Sequence, residues 1–324
     1  MEYFILLKCH ASNNLIHLFF NHQTLSPTIT DGNRTSTQPI VTMLACILLH
    51  TSVFSQLGML VCQAITAGFA AASALILFTK LYTPLNQLLA YGKVAQGPKS
   101  TQTGFARLVQ IASRWTVPKQ YFVHFYILFA VLQWLQLPWA KGKLLHTNFG
   151  LAWLLLTAQA TRRLMESLLL TQWGLKSRMH ISHYFVGLYF YVCVAIVSFC
   201  GLVVAQEESK RPRQWLAIAF FALFSVDQYN NHRHLAALVK YSVPTFGMFR
   251  HVACAHYCDE IVIYFAVTVA AWTREPNMEV SVALFSAWVF VLVNLSVSGL
   301  ESLRYYQTKF DDYTVQYAVV PFLL

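Results

Sequence analysis

A polar loop beside a long apolar run contains the residues of this chain that are best suited to chemistry. Residues 240–260 read KYSVPTFGMFRHVACAHYCDE, and the apolar segment IVIYFAVTVAAW follows directly. Pro244 lacks an amide hydrogen and Gly247 frees the backbone, so the segment cannot be one continuous helix. Asp259 and Glu260 then stand in the first turn of the next predicted helix, where acids also favour the helix dipole. The loop is a candidate reaction site.

A second set of polar residues recurs at helical spacing inside an apolar segment. Arg162, Arg163 and Glu166 follow Gln159 by three, four and seven residues in LAWLLLTAQATRRLMESLLLTQW. These residues therefore share one face of a helix. Because charges are expensive at membrane depth, that face must meet a polar interior or a partner. A local ion pair between Glu166 and either arginine near the membrane surface explains the spacing equally well.

Histidines near the ends of other apolar segments extend the set of titratable groups. His124 stands in the aromatic-rich segment TVPKQYFVHFY, and the segments MHISHYFVG and DQYNNHRH add imidazoles, amides and an acid. A lone histidine on an aromatic helix is more often a packed core residue than a catalytic group. Several such groups near the ends of membrane segments nevertheless predict a polar pocket that water can reach.

Two common kinds of site have little support in the sequence. The histidines and cysteines at 251–258 resemble metal ligands in spacing, but the chain contains no second paired motif, so we predict no metal. No glycine-rich nucleotide motif follows a predicted strand either. Any bound nucleotide must therefore be held without a Rossmann domain.

The composition is that of a membrane protein. Hydrophobic residues make up 56% of the chain and charged residues only 11%, and the mean hydropathy is +0.48. The net charge of +10 is spread thinly over many loops rather than clustered on one surface. We therefore predict no nucleic-acid partner, and the bilayer itself is the expected environment.

Apolar segments long enough to position these residues across a bilayer recur through the chain. A transmembrane helix needs about 20 mostly apolar residues, and this template fits at 59–79, 121–139, 148–171, 181–204, 214–227, 252–273 and 280–299. The segment 214–227 is short and predicts a re-entrant or tilted span. The sequence thus predicts an all-α, polytopic integral membrane protein of six to seven transmembrane helices. A flexible leader is expected at 1–40 and the membrane domain at 41–324.

Several dispersed segments resemble the steroid 5α-reductase family, and most closely its polyprenol reductase branch. The resemblance covers about residues 85–324, and its family-specific C-terminal part covers about 180–324. The segments that carry it are AYGK at 90–93, VPKQYFVHFY at 117–126, Q-x-x-R-R-x-x-E at 159–166, MHISHYFVG at 179–187, LVKYSVP through AHYCDEIVIY at 238–264, and RYYQTKFDDY followed by PFLL.

The resemblance implies a multi-pass enzyme of the endoplasmic reticulum membrane that uses NADPH. Its substrate would be a polyprenoid lipid whose α-isoprene double bond is saturated on the route to dolichol for protein N-glycosylation. Hydride adds poorly to an isolated alkene and readily to one conjugated with a carbonyl group. We therefore expect the aldehyde, polyprenal, to be the form that is reduced. A long polyprenoid chain requires a cavity that opens sideways to lipid between helices.

The resemblance also implies roles for individual residues. His124 and Gln159 correspond to the positions that grip the substrate carbonyl, and Glu166 or Arg162 supports them. The residues expected to hold the cofactor are Gln228, His232, Lys240, Arg250, His256, Glu260, Arg304 and Tyr306. The lysine and the two arginines in this set suit the phosphate groups of NADPH.

Other functions remain open from the sequence. A membrane enoyl-thioester reductase or an isoprenyl-directed methyltransferase has a similar C-terminal half. A non-enzymatic lipid-binding or transport protein is a third alternative. Val239 stands where the family usually has arginine, and the tail from Tyr313 to Pro321 is one residue short and lacks a customary Arg-Lys pair. These departures favour the third alternative.

Overall fold

The computed structural model describes residues 38–82, 114–174, 176–206, 212–238, 242–273 and 277–322. The chain divides into two compact units, Met1–Leu57 and Gly58–Leu324. The second unit contains every element discussed below apart from the start of the first helix. The leader predicted at 1–40 lies outside the described residues except for its last three, which are helical.

The described residues form eight α-helices and one pair of short strands. The helices are α1 (Gln38–Leu81), α2 (Phe122–Trp134), α3 (Leu137–Ala140), α4 (Asn148–Leu169), α5 (Ile181–Val204), α6 (Pro212–Ala237), α7 (Ala255–Ala271) and α8 (Met278–Lys309). The strands, β1 (Thr116–Pro118) and β2 (Arg178–His180), are antiparallel, with Val117 opposite Met179. This pair ties the start of α2 to the start of α5.

The prediction of an all-α, polytopic membrane protein is confirmed. Within the described part of the chain, three helical stretches are long and apolar enough to cross a membrane by length and composition alone: Gln56–Leu81, Ile181–Val204 and Met278–Lys309. The other predicted spans are also helical. They miss the same criterion because α7 has only 17 residues, because 121–139 is divided between α2 and α3, or because polar residues interrupt them.

Helix α6 extends well beyond the short span predicted at 214–227, because its buried face continues after the apolar run ends. The buried positions recur every three or four residues at Gln214, Ala217, Phe221, Ser225, Gln228 and Asn231. The face changes from apolar to polar along the helix and remains inside the protein. The end of the apolar run therefore marks the point where the buried face becomes polar. The helix itself continues to Ala237.

Aromatic packing joins three helices at the centre of the apolar core. The ring centroids of Phe69 on α1, Phe190 on α5 and Phe290 on α8 are 5.6–5.8 Å apart, and the side chains are at most 6% exposed. In lipid, close packing of this kind holds helices together, since the hydrophobic effect no longer drives their association.

The start of α4, the helix that carries the polar face at 159–166, depends on a glycine. Thr147 is the N-cap residue, and its Oγ1 accepts a hydrogen bond of 2.8 Å from the amide of Gly150. A Cβ atom at Gly150 would lie 2.0 Å from the carbonyl oxygen of Lys143. That oxygen belongs to the backbone of the preceding turn, so it cannot move aside cheaply.

We expect Gly150→Ala to destabilise the protein by about 1–3 kcal/mol, the usual cost of overpacking. The matched control is Gly58→Ala on α1, where a Cβ atom would meet only Cys200 Sγ at 3.8 Å. Because alanine is the better helix former, the control should melt no lower than the unaltered protein. Thermal unfolding of both variants in detergent is the measurement, and equal midpoints for the two would contradict the expectation.

Candidate active site

A cavity of about 1050 Å³ is lined by residues of α2 and of α4 to α8. Its volume is at the upper end of the range of about 300–1,000 Å³ that is typical of small-molecule sites. The lining combines two kinds of surface. One is polar and charged, and includes Arg163, His232 and Glu260; the other is aromatic and aliphatic, and includes Phe125 and Phe290. The cavity therefore suits a ligand, or a pair of ligands, with both polar and greasy parts.

Arg163 is the charged centre of the polar surface. Its Nη1 donates to Glu166 Oε2 at 2.6 Å, and its Nη2 donates to Tyr126 Oη at 2.7 Å. His232 Nδ1 lies 2.6 Å from the same Glu166 oxygen, so Glu166 holds the imidazole as well as the guanidinium. Glu166 is only 3% exposed, and each of its charged contacts comes from the cavity side or from its own helix. The set connects α2, α4 and α6.

A second network links the same region of α4 to α6 and α7. Gln159 Nε2 donates to Glu260 Oε1 at 3.2 Å, and Arg162 Nη2 donates to Gln159 Oε1 at 2.7 Å. Gln228 donates to Glu260 Oε2 and accepts from Arg162. It also donates to the carbonyl oxygen of His256 at 3.1 Å. Glu260 thus receives amide donors from two helices, which fixes one carboxylate on the cavity wall.

His256 extends this polar surface toward the loop before α7. Its ring centroid lies 5.7 Å from that of His232 and 5.8 Å from that of Phe249. Within the described residues, its buried Nδ1 has no hydrogen-bond partner. The residue itself lines the cavity, and an unpaired buried polar atom in a folded protein calls for an explanation such as a bound ligand or water.

The loop that leads into α7 is held by the C-terminal tail. The amides of Ala253 and Cys254 donate to the carbonyl oxygens of Tyr317 and Ala318, each at 2.9 Å. Tyr313, nearer the start of the tail, packs against Tyr306 with tilted rings and a centroid separation of 5.2 Å. Burial raises the pKa of the Tyr313 phenol, so this side chain stays neutral. The tail therefore fixes both the loop and the end of α8.

Asp259 and Glu260 do not stand in the first turn of α7, as the sequence predicted. The helix begins at Ala255, one turn earlier. It starts directly after Ala253 and Cys254, whose amides bond to the C-terminal tail. An interaction with the helix dipole falls off within the first turn, so it does not explain these acids. Glu260 points to the cavity, and Asp259 is fully buried between helices.

The structure brings most of the predicted site residues to one region. Those that line the cavity are Gln228, His232, His256, Glu260 and Tyr306. Gln159 and Glu166 are buried directly behind the lining, where they bond to Glu260 and His232. Lys240 lies outside the described residues. Their individual roles toward substrate or cofactor stay predictions.

Three predicted residues lie apart from the cavity. His124 is exposed on α2, and its Nδ1 is 3.1 Å from Tyr184 Oη. Arg250 is exposed and donates to the carbonyl oxygen of Thr245. Arg304 is exposed and stands 3.6 Å from Glu301. The position two residues after His124, Tyr126, faces the cavity instead, because successive residues of a helix point in directions about 100° apart.

Residue spacing pointed only indirectly to several residues of the cavity lining. Arg163 belongs to the polar face predicted on α4, but its spacing does not reveal which of the two arginines reaches the cavity. Lys119 and Lys176 also line the cavity. The strand pair brings them to the same end, and the amide of Lys119 donates to the carbonyl oxygen of Ser177. No motif in the sequence predicts that pairing.

Comparison with known proteins identifies the family of this chain. Residues 177–324 match the 3-oxo-5-alpha-steroid 4-dehydrogenase family. A polyprenal reductase of Saccharomyces cerevisiae is 34% identical over 241 residues, which cover 74% of this chain and 87% of the relative. A polyprenal reductase of Xenopus tropicalis is 28% identical over 294 residues, 75% of this chain and 89% of the relative.

Plant relatives are matched over a smaller part of their length. Polyprenal reductase 1 of Oryza sativa subsp. indica is 28% identical over 209 residues, which cover 52% of this chain and 57% of the relative. The family resemblance seen in the sequence is thus confirmed by the matched C-terminal region and by relatives aligned over most of the chain. This chain belongs to the steroid 5α-reductase family, in the branch of the polyprenal reductases.

Proposed function

We propose that this protein is an endoplasmic reticulum membrane reductase that uses NADPH to saturate the α-isoprene double bond of polyprenal, toward dolichol for protein N-glycosylation. The observation that carries the proposal is the single cavity of about 1050 Å³ in which a hydrogen-bonded charged surface adjoins an aromatic one. A reduced dinucleotide requires the first kind of surface. A polyprenoid requires the second.

The polar surface fits a nicotinamide cofactor. The imidazole of His256 and the carboxylate of Glu260 line the cavity and offer contacts to the amide and hydroxyl groups of a dinucleotide. Lys119 and Lys176 at one end of the cavity supply cations for its phosphates. When bound, NADPH supplies the hydride. The residues of the chain have to orient the reactants, exclude water and handle the proton.

Tyr126 and Arg163 are placed to hold the substrate carbonyl group. Because Arg163 donates to Tyr126 Oη at 2.7 Å, the hydroxyl proton of Tyr126 is left to donate into the cavity. Addition of hydride to the β carbon moves negative charge onto the carbonyl oxygen, and a fixed donor backed by a guanidinium stabilises that charge. Tyr126 therefore takes the role that the sequence assigned to His124 and Gln159, while Gln159 acts by fixing Glu260.

The α carbon must also receive a proton. His232 lines the cavity, and its Nδ1 is held at 2.6 Å by Glu166. A carboxylate in this position fixes the tautomer and orientation of an imidazole, and Arg163 Nη1 lies 3.0 Å from the same Nδ1. We assign the proton delivery to His232, with Glu166 as its support.

The aromatic surface fits the lipid chain. Phe125 on α2 and Gly187 on α5 meet closely here, since a Cβ atom on Gly187 would lie 2.8 Å from the Phe125 ring. Both residues line the cavity, together with Phe122 and Val186. The absence of a side chain at Gly187 lets the two helices approach while the aromatic rings remain available to isoprene units.

The proposed function is tested directly by product analysis. We expect membranes that contain the protein, supplied with NADPH and polyprenal, to form a product two mass units heavier, and polyprenol alone to give none. The physical reason is that only the aldehyde conjugates the double bond with a carbonyl group. Enoyl thioesters, and isoprenylcysteine with a methyl donor, are the competing substrates. Turnover of either one without turnover of polyprenal would refute the proposal, as would the absence of saturable NADPH binding.

The role of Tyr126 is tested against that of His124, two residues earlier on the same helix. Tyr126→Phe removes the hydroxyl donor and should lower kcat by about 10²-fold or more with little change in KM. His124→Phe should have a much smaller effect, since His124 is exposed, lies 3.1 Å from Tyr184 Oη and does not line the cavity. Tyr184→Phe is the matched control for loss of a phenol hydroxyl. A large loss of kcat in His124→Phe alone would contradict the role of Tyr126 and would assign the contact with the substrate carbonyl group to His124.

The role of Glu260 is tested by Glu260→Gln in an NADPH titration. The variant loses the carboxylate that accepts from Gln159 and Gln228, so NADPH affinity should fall about tenfold or more, as when buried groups lose their partners. Glu301→Gln is matched in exposure, because both glutamates have 15% of the side chain exposed, and it lies outside the cavity lining. Equal losses of affinity in the two variants would remove Glu260 from the cofactor site.

A further inference from the structure

A pair of acids lies between α6 and α7, directly behind the polar surface of the cavity that is proposed to hold the cofactor. Asp259 and Asn231 are both 0% exposed. Asn231 Nδ2 donates to Asp259 Oδ2 at 2.7 Å and to Asp227 Oδ2 at 3.3 Å. The two aspartates therefore accept from the same amide nitrogen, and Asp227 is half-buried. The two carboxyl groups and one amide thus form a compact cluster that spans the contact between the two helices.

This cluster contains more acceptors than donors. Asp259 Oδ1 and Asn231 Oδ1 are buried, and within the described residues neither has a hydrogen-bond partner. In the same part of the chain, no lysine or arginine lies within salt-bridge distance of Asp227 or Asp259. The other titratable groups that face the pair are Cys258 and Glu260, and both belong to α7. None of these groups supplies a positive charge.

We infer that Asp259 holds a proton, shared in a hydrogen bond with Asp227, and that this bond locks α6 to α7 so that Gln228 and Glu260 are presented to the cavity. Asp259 is fully buried and no cation among the described residues faces it, so it is not ionised beside the carboxylate of Asp227, which is half-buried. A shared proton supplies the donor that the cluster lacks and removes one of the two charges. The inference rests on the proposed function in one respect: it takes the surface that the pair positions to be the cofactor site.

The geometry explains why the pair matters for the neighbouring wall. Gln228 follows Asp227 directly on α6, and Glu260 follows Asp259 directly on α7. The bond from Gln228 to Glu260 is therefore one residue away from the acid pair on both helices. If the shared proton is lost, the two charges repel across the contact and move Gln228 and Glu260 apart. Asp227 and Asp259 are positioning residues, because Glu260 and not the pair lines the cavity.

The sign of the pH effect follows from proton binding. The folded state holds the shared proton more tightly than the unfolded chain, in which both carboxyl groups are in water. Stability is therefore greatest while the proton is bound and falls as rising pH removes it. Binding of the cofactor should weaken over the same range, because it uses the wall that the pair holds in place.

The experiment compares the unaltered protein with Asp259→Asn and Asp259→Ala, using thermal unfolding without cofactor and NADPH titration, each from about pH 6 to about pH 9. The unaltered protein should lose both melting temperature and NADPH affinity toward the upper limit. Asp259→Asn carries permanent donors in place of the proton. It should keep its NADPH Kd at about pH 6 within about threefold, much less than the factor of 10 that 1.4 kcal/mol represents, and should lose the alkaline fall in both measurements.

Asp259→Ala should melt lower at every pH, because it leaves the Asn231 amide without its partner. The inference is overturned if Asp259→Asn shows the same alkaline fall as the unaltered protein, or if it loses NADPH binding at about pH 6 as fully as the alanine variant. Stabilisation of the unaltered protein by added sodium or calcium ions would also overturn it, since a cation would then replace the proton. If the unaltered protein binds no NADPH at any pH, the proposed function fails, while the melting curves still decide whether the proton is shared.

Discussion

Arg163 and Glu166 impose the constraint on which the rest of the site depends: charged groups buried in an apolar helix bundle need partners that carry opposite charge or form hydrogen bonds. Removing one partner of such a pair leaves an uncompensated charge and costs about 3–5 kcal/mol. The polar face of α4 therefore dictates what its neighbours present. Tyr126 comes from α2 and His232 from α6. These polar contacts between side chains fix the positions of α2, α4 and α6 relative to one another, in addition to the apolar packing between the helices.

This constraint also explains why the cavity has two kinds of surface. Wherever the α4 face finds partners, the wall becomes a rigid array of donors and acceptors in fixed positions. Where the helices meet through Phe125, Gly187 and Phe290, the lining offers only aromatic and aliphatic contact. A molecule that is polar at one end and apolar along its length can enter such a cavity in only one orientation. Reduction at the polar end of a long isoprenoid requires that selectivity.

The sequence predicts the helices well because their signal is apolar length, whereas which side chains face the cavity depends on the direction that each one takes around its helix. The span at 181–204 coincides with α5. The span at 214–227 was too short, because the buried face of α6 turns polar at Gln228 while the helix continues. The family resemblance placed His124 at the substrate carbonyl group, yet Tyr126 is the residue that lines the cavity. A shift of two residues turns a side chain by about 200° around the helix.

The contact between α6 and α7 shows how a helix pair and a binding site can be set by the same few residues. These two helices pack more extensively than any other pair among the described residues. On each helix an aspartate lies in the contact and the next residue, Gln228 or Glu260, belongs to the cavity wall. Neighbouring residues on one helix move together, so the packing of the contact and the shape of the wall cannot change independently. Polar groups that look redundant for binding are therefore part of what fixes the binding geometry.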